Sequence, residues 1–283
     1  MQKISTAVIP IAGFGTRMYP YTLFTNKAFL PVGKKPIIIH ILEEAVNADI
    51  YNFIIIINES QKSIKDSLRP QNDQLNNEEV IKFNNLINSI NISYIIQKEQ
   101  NGLAAAILKA KSKIDDEYFA VMLGDCSFIP NNSSYGIGEL VNHFRKSNNN
   151  YIGLTKIESN KLKNYGVING NLIDDKLVHI NNIIEKPTFN PPSNLICAGR
   201  YIFSKSIIQL LENSIKPYEE LLLPNVINLL AISEKVFGVI HSTWWLDVGN
   251  ELEFIKANLN YGLSIENYNK EISNIRKKPF INW

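Results

Sequence analysis

Two glycines and two cations follow the first apolar segment of the chain at short spacing. The run Ala7–Ala12 predicts a buried β-strand, and Gly13, Gly15 and Arg17 come directly after it, before Lys27. Glycine permits positive φ and close approach of a ligand to the backbone, and free N–H groups after a strand can bind an anion. Arg17 adds a forked cation suited to phosphate oxygens, and Lys27 adds a more flexible one. The combination predicts a phosphate-binding loop.

Two common phosphate-binding patterns are absent from this segment. No Gly-Lys-Ser/Thr follows the strand, which excludes a Walker A motif, and the third glycine of the dinucleotide fingerprint is missing. A Gly-x-Gly pair alone is weak evidence, because a tight strand-to-helix turn also needs it. The pair together with Arg17 and Lys27 in one loop is much more specific.

The segment resembles the signature of the sugar-1-phosphate nucleotidylyltransferase family. The matching residues are Ala12-Gly13-x-Gly15-Thr16-Arg17-Met18-x-Pro20 and Lys27-x-x-Leu30-Pro31-Val32. The sequence from Pro10 to Met18 is most similar to that of the family's bacterial UTP–glucose-1-phosphate uridylyltransferases. The similarity continues to about residue 263. The resemblance implies a Rossmann-like α/β fold. It also implies catalytic roles for Arg17 and Lys27 and nucleotide binding by Ala12, Gly13, Gly15 and Thr16.

Gln97 and Gly102 follow another predicted strand. An amide offers a donor and an acceptor together, which matches the imide edge of uracil or thymine. On spacing alone, Gln97 could equally be an exposed loop residue and Gly102 the start of a helix. The segment is similar to the family's Gln-x-x-x-x-Gly-Leu motif, and this resemblance implies that both residues bind the nucleotide base.

Asp125 and Asp247 are candidate metal ligands. Asp125 follows a predicted strand that would lie beside the first one, and ligands of α/β proteins bind at the carboxyl ends of parallel strands. Mg²⁺ prefers one or two carboxylates plus phosphate oxygens and water. Each aspartate alone could be a turn residue, the commoner role of Asp near Gly. Both resemble the family's metal-holding aspartates, which implies Mg²⁺ as the cofactor.

Two further segments resemble sugar-binding segments of the family. Glu185-Lys186-Pro187 is similar to one in which the glutamate accepts sugar hydroxyls and the lysine meets the sugar phosphate. Tyr165-Gly166-Val167 is similar to one in which the glycine backbone approaches the sugar. By itself, Glu185-Lys186 would be a surface pair before a proline turn. The resemblance implies that Gly166, Glu185 and Lys186 bind the sugar phosphate.

The chain also departs from the uridylyltransferase pattern. Thr243-Trp244-Trp245-Leu246 precedes Asp247 without the usual basic residue, and Gly124 stands where Pro is frequent; both are closer to thymidylyltransferases. The segment Tyr218–Pro224 lacks the usual Gln-Leu-Thr-Asp. The sugar and the choice between UTP and dTTP therefore stay open, but the class of reaction does not.

The pattern of apolar residues predicts the elements that must position these side chains. Helical spacing over 37–48, between the strands at 7–12 and 53–57, predicts a strand–helix–strand unit and a parallel sheet. Further strands are predicted at 92–96, 118–123, 151–156 and 235–240, and short antiparallel strands between 165 and 203. The expected fold class is α/β: a Rossmann-like, mixed and mostly parallel sheet flanked by helices, with a small antiparallel sugar-binding part. We expect a nucleotide-binding part over about 1–157, a sugar-binding part over about 158–263, and a C-terminal helix and tail over 264–283.

Composition excludes several other classes of protein. The 283 residues carry 29 basic and 27 acidic side chains, so that nothing favours nucleic acid or a membrane as partner. Cys126 and Cys197 make neither a disulfide framework nor a metal motif. No signal sequence and no apolar run near the ~18 residues of a membrane helix is present. We expect a cytoplasmic protein.

The residues and the resemblance together predict transfer of a uridylyl group from UTP to glucose 1-phosphate. A thymidylyltransferase acting on dTTP, or another sugar-1-phosphate nucleotidylyltransferase, is the alternative. A non-catalytic nucleotide-sugar-binding protein is disfavoured because Arg17, Lys27 and Asp125 are all present. An NAD-dependent dehydrogenase is disfavoured by the missing third glycine. The expected partners are UTP, a sugar 1-phosphate and further copies of the chain, as a dimer or tetramer.

Overall fold

The computed structural model describes residues 2–72, 76–130, 134–215 and 219–277. The strands are β1 (Thr6–Pro10), β2 (Pro31–Val32), β3 (Lys35–Pro36), β4 (Asn52–Ile57), β5 (Asn91–Ile96), β6 (Tyr118–Met122), β7 (Cys126–Phe128), β8 (Asn150–Lys156), β9 (Gly166–Leu172), β10 (Leu177–Glu185), β11 (Leu195–Ser204), β12 (Val236–Ile240) and β13 (Trp245–Asp247). The α-helices are α1 (Tyr21–Phe24), α2 (Ile37–Val46), α3 (Ile64–Ser67), α4 (Glu78–Asn88), α5 (Gly102–Lys109), α6 (Ile137–Phe144), α7 (Ser206–Ser214), α8 (Leu223–Ser233), α9 (Glu251–Ser264) and α10 (Glu266–Lys277). Short 3₁₀ helices cover Thr16–Met18, Lys27–Phe29, Glu59–Gln61, Ala110–Lys113 and Ser159–Asn164.

A nine-stranded sheet runs through the molecule in the order β5-β4-β1-β6-β11-β8-β12-β10-β9. The first four strands in this order are parallel, and so is the pair β8 and β12. Strand β11 is antiparallel to both of its neighbours, β6 and β8, and β10 is antiparallel to β12 and β9. The predicted mixed α/β fold is confirmed. Parallel pairing is concentrated at the end of the sheet that holds the glycine loop.

Strand β4 shows why the sheet is covered on both faces. Its Ile55 and Ile57 pack into one apolar cluster with α2, whereas Ile54 and Ile56 pack into a second cluster with α5. Successive side chains of a strand point to opposite faces, so an all-apolar strand needs a helix on each side. The helices on both faces hold β4, β1 and β6 in this order in the sheet, and the carboxyl ends of these parallel strands lie at one edge.

The region 165–203 differs from its prediction. Instead of short pieces, β9, β10 and β11 are strands of 7, 9 and 10 residues. The pairing shifts between Ile180 and Asn182 and between Cys197 and Tyr201, and the prolines of this region lie in the loop between β10 and β11. Gly199, with φ +74°, lies in the second irregularity. A bulge lets a strand continue past a residue that breaks the ladder.

Two features near the C-terminus complete the fold. Strand β13 pairs with β7 in a separate two-stranded ribbon, in which Asp247 lies opposite Cys126. Helix α10 lies within the range 264–283 for which a C-terminal helix and tail are predicted, and residues 278–283 lie outside the described residues. Among the described residues, no helix has both the length and the apolar composition needed to cross a membrane.

Candidate active site

A cleft of about 390 Å³ opens at the carboxyl ends of the parallel strands. The loops that follow β1, β5 and β6 form its wall, as expected for an α/β sheet. Nine of the residues predicted from the sequence line this cleft: Ala12, Gly13, Gly15, Thr16, Arg17, Lys27, Gln97, Gly102 and Asp125.

Three amide side chains hold the glycine loop after β1. Asn58 Nδ2 donates to the carbonyl oxygen of Ala12 at 2.7 Å, and Asn26 Nδ2 donates to that of Ile11 at 2.9 Å. Gln61 Nε2 donates to the Gly13 oxygen at 3.3 Å. A Cβ built on Gly13 would meet no atom within 4 Å, so the space above this backbone is open to a ligand. These bonds fix the carbonyl groups of the loop, and both Gly13 and Gly15 line the cleft.

Lys27 and Asp125 form an ion pair in the cleft, with Lys27 Nζ 3.0 Å from Asp125 Oδ2. Burial alone would raise the pKa of Asp125, but the charges of Lys27 and Arg17 hold it below its ordinary value. The Asp125 side chain remains 38% exposed and therefore accessible from the cleft. Within the described part of the chain, Arg17 forms no hydrogen bond or ion pair. Its guanidinium is thus available to an anionic ligand.

The ribbon of β7 and β13 carries Asp247 to Asp125. Besides the strand pairing, the backbone N–H of Val248 donates to the Asp125 carbonyl oxygen at 3.0 Å. Burial, and then the negative charge of Asp125, raise the pKa of Asp247 above its ordinary value. A cation beside these two carboxylates would offset the repulsion by Asp125 that raises the pKa of Asp247.

Tyr165 and the backbone of Gly249 fix both oxygens of Asp247. The Tyr165 hydroxyl donates to Oδ2 at 2.6 Å, and the Gly249 N–H donates to Oδ1 at 2.6 Å. Burial and the adjacent carboxylate raise the pKa of Tyr165 well above its ordinary value, so that the hydroxyl stays a donor. Gly249 itself lines the cleft, so Asp247 Oδ1 lies within hydrogen-bonding distance of a residue of the cleft wall.

Gln97 and Gly102 lie together at the other end of the cleft. The Gln97 side chain donates to the Gly102 carbonyl oxygen at 3.4 Å and is only 3% exposed, so it is not a surface loop residue. Gly102 has φ +87° and begins α5. Leu103, Ala106 and Leu123 add apolar surface to the cleft. The buried amide of Gln97 and the apolar side chains of the cleft suit a planar ring with hydrogen-bonding groups on its edge.

The three predicted sugar-binding residues are not part of the cleft wall. Gly166 and Glu185 lie opposite each other on β9 and β10, and Lys186 follows with an exposed side chain. Lys186 has φ +47°, an uncommon backbone conformation for a residue with a side chain. Its N–H donates to the Tyr165 carbonyl oxygen at 3.0 Å, which connects this segment to Asp247 through one residue.

The buried residues Arg200 and Glu44 support the turn that carries Asp125. Arg200 donates to the carbonyl oxygens of Leu123 and Cys126, on either side of that turn. Sequence reasoning assigned no role to Arg200, Glu44, Asn58 or Tyr165. Asn58 could have been suspected, because it directly follows the strand predicted beside β1.

With the geometry established, comparison with known proteins decides the family. The sequence profile described as "Nucleotidyl transferase" matches residues 6–263. This protein belongs to the nucleotidyl transferase family. The glycine loop, the Lys27–Asp125 pair and the Gln97–Gly102 end of the cleft therefore lie in a nucleotidyl transferase domain.

Relatives of this nucleotidyl transferase share its length and its fold. The UTP–glucose-1-phosphate uridylyltransferase of Bacillus subtilis (strain 168) is 33% identical over 272 residues, which cover 93% of this chain and 92% of the relative. A crystal structure of UDP-glucose pyrophosphorylase complexed with UDP-glucose has a TM-score of 0.86 at 27% identity and covers 93% of this chain and 100% of that one. A UTP-bound UGPase from Acinetobacter baumannii has a TM-score of 0.83 at 28% identity, covering 96% and 98%.

Proposed function

We propose that the protein transfers a uridylyl group from UTP to glucose 1-phosphate, giving UDP-glucose and pyrophosphate. The observation that carries the proposal is that the glycine loop, the cations Arg17 and Lys27 and the buried amide of Gln97 line one cleft. The names of the relatives, matched over most of both chains, support the same substrates.

The reaction needs no covalent bond to the protein. An oxygen of the sugar phosphate attacks the α-phosphorus of UTP in line, a new P–O bond forms, and the bond to the β-phosphate oxygen breaks with departure of pyrophosphate. Catalysis then consists of positioning and charge neutralisation. Arg17 and the backbone of Gly13–Thr16 hold the triphosphate, and Lys27 neutralises the α-phosphate and the leaving group. Gln97 and Gly102 bind the base.

Asp125 and Asp247 are the proposed ligands of Mg²⁺. Their oxygens are the hard donors that Mg²⁺ prefers, and a cation would offset the effect of the Asp125 charge on Asp247. The described residues include no cluster of three or more His, Cys, Asp or Glu side chains suited to a metal, so substrate phosphates and water would complete the coordination. When bound, Mg²⁺ supplies positive charge to the triphosphate. With a cation on Asp125, Lys27 would be free to leave its ion pair with Asp125 and bind a phosphate.

Gly166, Glu185 and Lys186 are the proposed sugar-phosphate site. Lys186 binds the phosphate and Glu185 accepts hydrogen bonds from sugar hydroxyls, which makes 158–263 the sugar-binding part and 1–157 the nucleotide-binding part.

We also propose that the protein forms a homo-oligomer, a dimer or a tetramer. The molar mass from light scattering tests this proposal directly.

The decisive experiment is a matrix of nucleoside triphosphates against sugar 1-phosphates, read by pyrophosphate release. The expected maximum is UTP with glucose 1-phosphate. A maximum with dTTP would identify a thymidylyltransferase instead. Binding of UDP-glucose without turnover of any pair would identify a non-catalytic protein.

A further inference from the structure

Tyr165 contacts the two halves of the proposed site at once. Its hydroxyl donates to Asp247 Oδ2 at 2.6 Å, and its carbonyl oxygen accepts the N–H of Lys186 at 3.0 Å. The sequence separation between Tyr165 and Asp247 is 82 residues, so this bond joins distant parts of the chain. No other described side chain donates a hydrogen bond to Asp247.

The carboxylate of Asp247 lies at the end of a short strand and is held at both of its oxygens. Strand β13 has three residues, and Asp247 is the last of them. The N–H of Gly249 fixes Oδ1, and the Tyr165 hydroxyl fixes Oδ2, so the plane of the carboxylate is determined at both oxygens. Each oxygen has two lone pairs. One on each therefore remains for a cation.

The ring of Tyr165 is held independently of its hydroxyl. It packs edge-to-face on Trp245, with ring centroids 5.6 Å apart, and against the apolar cluster of Leu162, Val167 and Ile196. Removal of the oxygen alone would therefore leave the packing in place. The hydroxyl can be tested separately from the fold.

We propose that Tyr165 is a positioning residue, which orients Asp247 toward the divalent cation and joins it to the segment that carries Lys186. The inference rests on the proposed function, because it takes Asp247 as a metal ligand and Lys186 as the sugar-phosphate lysine. Hydrogen bonds that orient metal ligands typically account for about 10–100-fold in metal affinity or activity. Loss of the hydroxyl should change metal affinity more than nucleotide affinity.

The test compares Tyr165→Phe with Tyr118→Phe. Tyr118 is a matched control, because its hydroxyl donates to the carbonyl oxygen of Asn148 and its ring packs on Phe144, away from the cleft. Mn²⁺ binding is measured by electron paramagnetic resonance in the presence of α,β-methylene-UTP, and thermal melting verifies that both variants fold. We expect about 10–100-fold weaker Mn²⁺ binding in Tyr165→Phe and an unchanged affinity in Tyr118→Phe.

Steady-state kinetics distinguishes positioning from a structural role. In Tyr165→Phe the Mg²⁺ concentration for half-maximal rate should rise about 10–100-fold, and excess Mg²⁺ should restore most of kcat. The KM for UTP at saturating Mg²⁺ should change little. An unchanged Mn²⁺ affinity in Tyr165→Phe would overturn the inference, whatever the activity of the variant.

Asp247→Asn separates failure of this inference from failure of the proposed function. If the wild-type protein releases no pyrophosphate, or if Asp247→Asn binds Mn²⁺ as the wild type does, the proposed function or its metal site is wrong. If wild type and Asp247→Asn behave as proposed while Tyr165→Phe equals wild type, the role of Tyr165 alone is wrong.

Discussion

Arg200 and Glu44 form a completely buried, two-bond ion pair. Arg200 Nε lies 2.7 Å from Glu44 Oε1 and Nη2 lies 2.8 Å from Oε2, and both side chains are 0% exposed. Glu44 also accepts the N–H of Ile137 at 2.6 Å, at the start of α6. The pair thus ties α2, α6 and β11 to the turn that carries Asp125.

Truncation of either partner should destabilise the protein severely. Glu44→Ala or Arg200→Ala leaves an uncompensated buried charge, which typically costs about 3–5 kcal/mol of unfolding free energy. The exposed pair of Arg145 and Asp49 is the control, because Arg145→Ala should cost only about 0–1 kcal/mol. Urea denaturation monitored by circular dichroism measures the free energy of unfolding of each variant. Similar losses in the buried and exposed variants would contradict the argument.

Lys27→Ala should lower kcat by ~10²–10³, the scale of one lost electrostatic stabiliser of the transition state. The affinity for UTP, measured by calorimetry, should fall much less. Lys35→Ala is the control, because Lys35 pairs with Glu43 and does not line the cleft. A near-normal kcat for Lys27→Ala would mean that the loop is only structural.

Removal of divalent ions should abolish turnover. We expect EDTA to stop pyrophosphate release and Mg²⁺ to restore it, because Asp125 and Asp247 offer oxygen ligands suited to that ion. Asp125→Asn and Asp247→Asn should impair the response to Mg²⁺. Asp174→Asn should not, since Asp174 only accepts N–H groups within an exposed turn. Full turnover in EDTA would remove both aspartates from the proposed metal site.

Base preference should follow the hydrogen-bonding edge that Gln97 and Gly102 can match. Uracil and thymine share this edge and differ by one methyl, worth only ~1–3 kcal/mol. Cytosine would leave buried hydrogen-bonding groups of the protein without a partner, which costs ~1–3 kcal/mol of binding free energy for each group. The backbone groups at Ala12 and Gly102 cannot change from donor to acceptor to match it. We expect kcat/KM to be highest for UTP, detectable for dTTP and poor for CTP, ATP and GTP.

Gln97→Ala tests that assignment directly. In this variant kcat/KM for UTP should fall, so that it differs less from kcat/KM for CTP. The control Gln71→Ala, in an exposed loop, should leave both values of kcat/KM unchanged. Values of kcat/KM with glucose 1-phosphate give the comparison. A preference of the wild-type protein for CTP or a purine nucleotide would refute the base-binding role.

Acid should destabilise the fold through His40. Burial lowers the pKa of His40 below its ordinary value of 6.5, against the opposing effect of its contact with the Val32 oxygen. At a pH below 6.5, His40 is protonated in the unfolded chain but not in the native protein. The free energy of unfolding therefore falls as the pH drops and recovers as the pH rises. Burial lowers the pKa of His143 too, with the same sign.

Urea denaturation at about pH 7.5 and about pH 5.5 measures this loss. His40→Gln keeps an N–H donor for the Val32 oxygen but cannot take up a proton in this range. The variant should therefore lose less stability than the wild type between the two pH values. Equal losses in both proteins would show that His40 contributes nothing to the pH dependence.

Sequence reasoning succeeded where the information is local. The strand before Gly13, the helix α2 and the strand β4 are read from their apolar patterns, and the ends of parallel strands must meet at one edge. It did not find contacts between distant residues. Arg200 and Glu44 are separated by 156 positions, and nothing in either neighbourhood signals the other. The central place of β11 was also not predicted, because pairing partners are set by packing rather than by the strand's own sequence.

The ribbon of β7 and β13 has a consequence for synthesis of the chain. Translation delivers the glycine loop, Lys27 and Asp125 early, whereas Trp245–Asp247 emerges only near the end of the domain. Until then β7 lacks the strand with which it pairs in the folded protein. A nascent or truncated chain therefore carries the glycine loop without the pair of Asp125 and Asp247, and the pair is completed only once the ribosome has made nearly the whole fold.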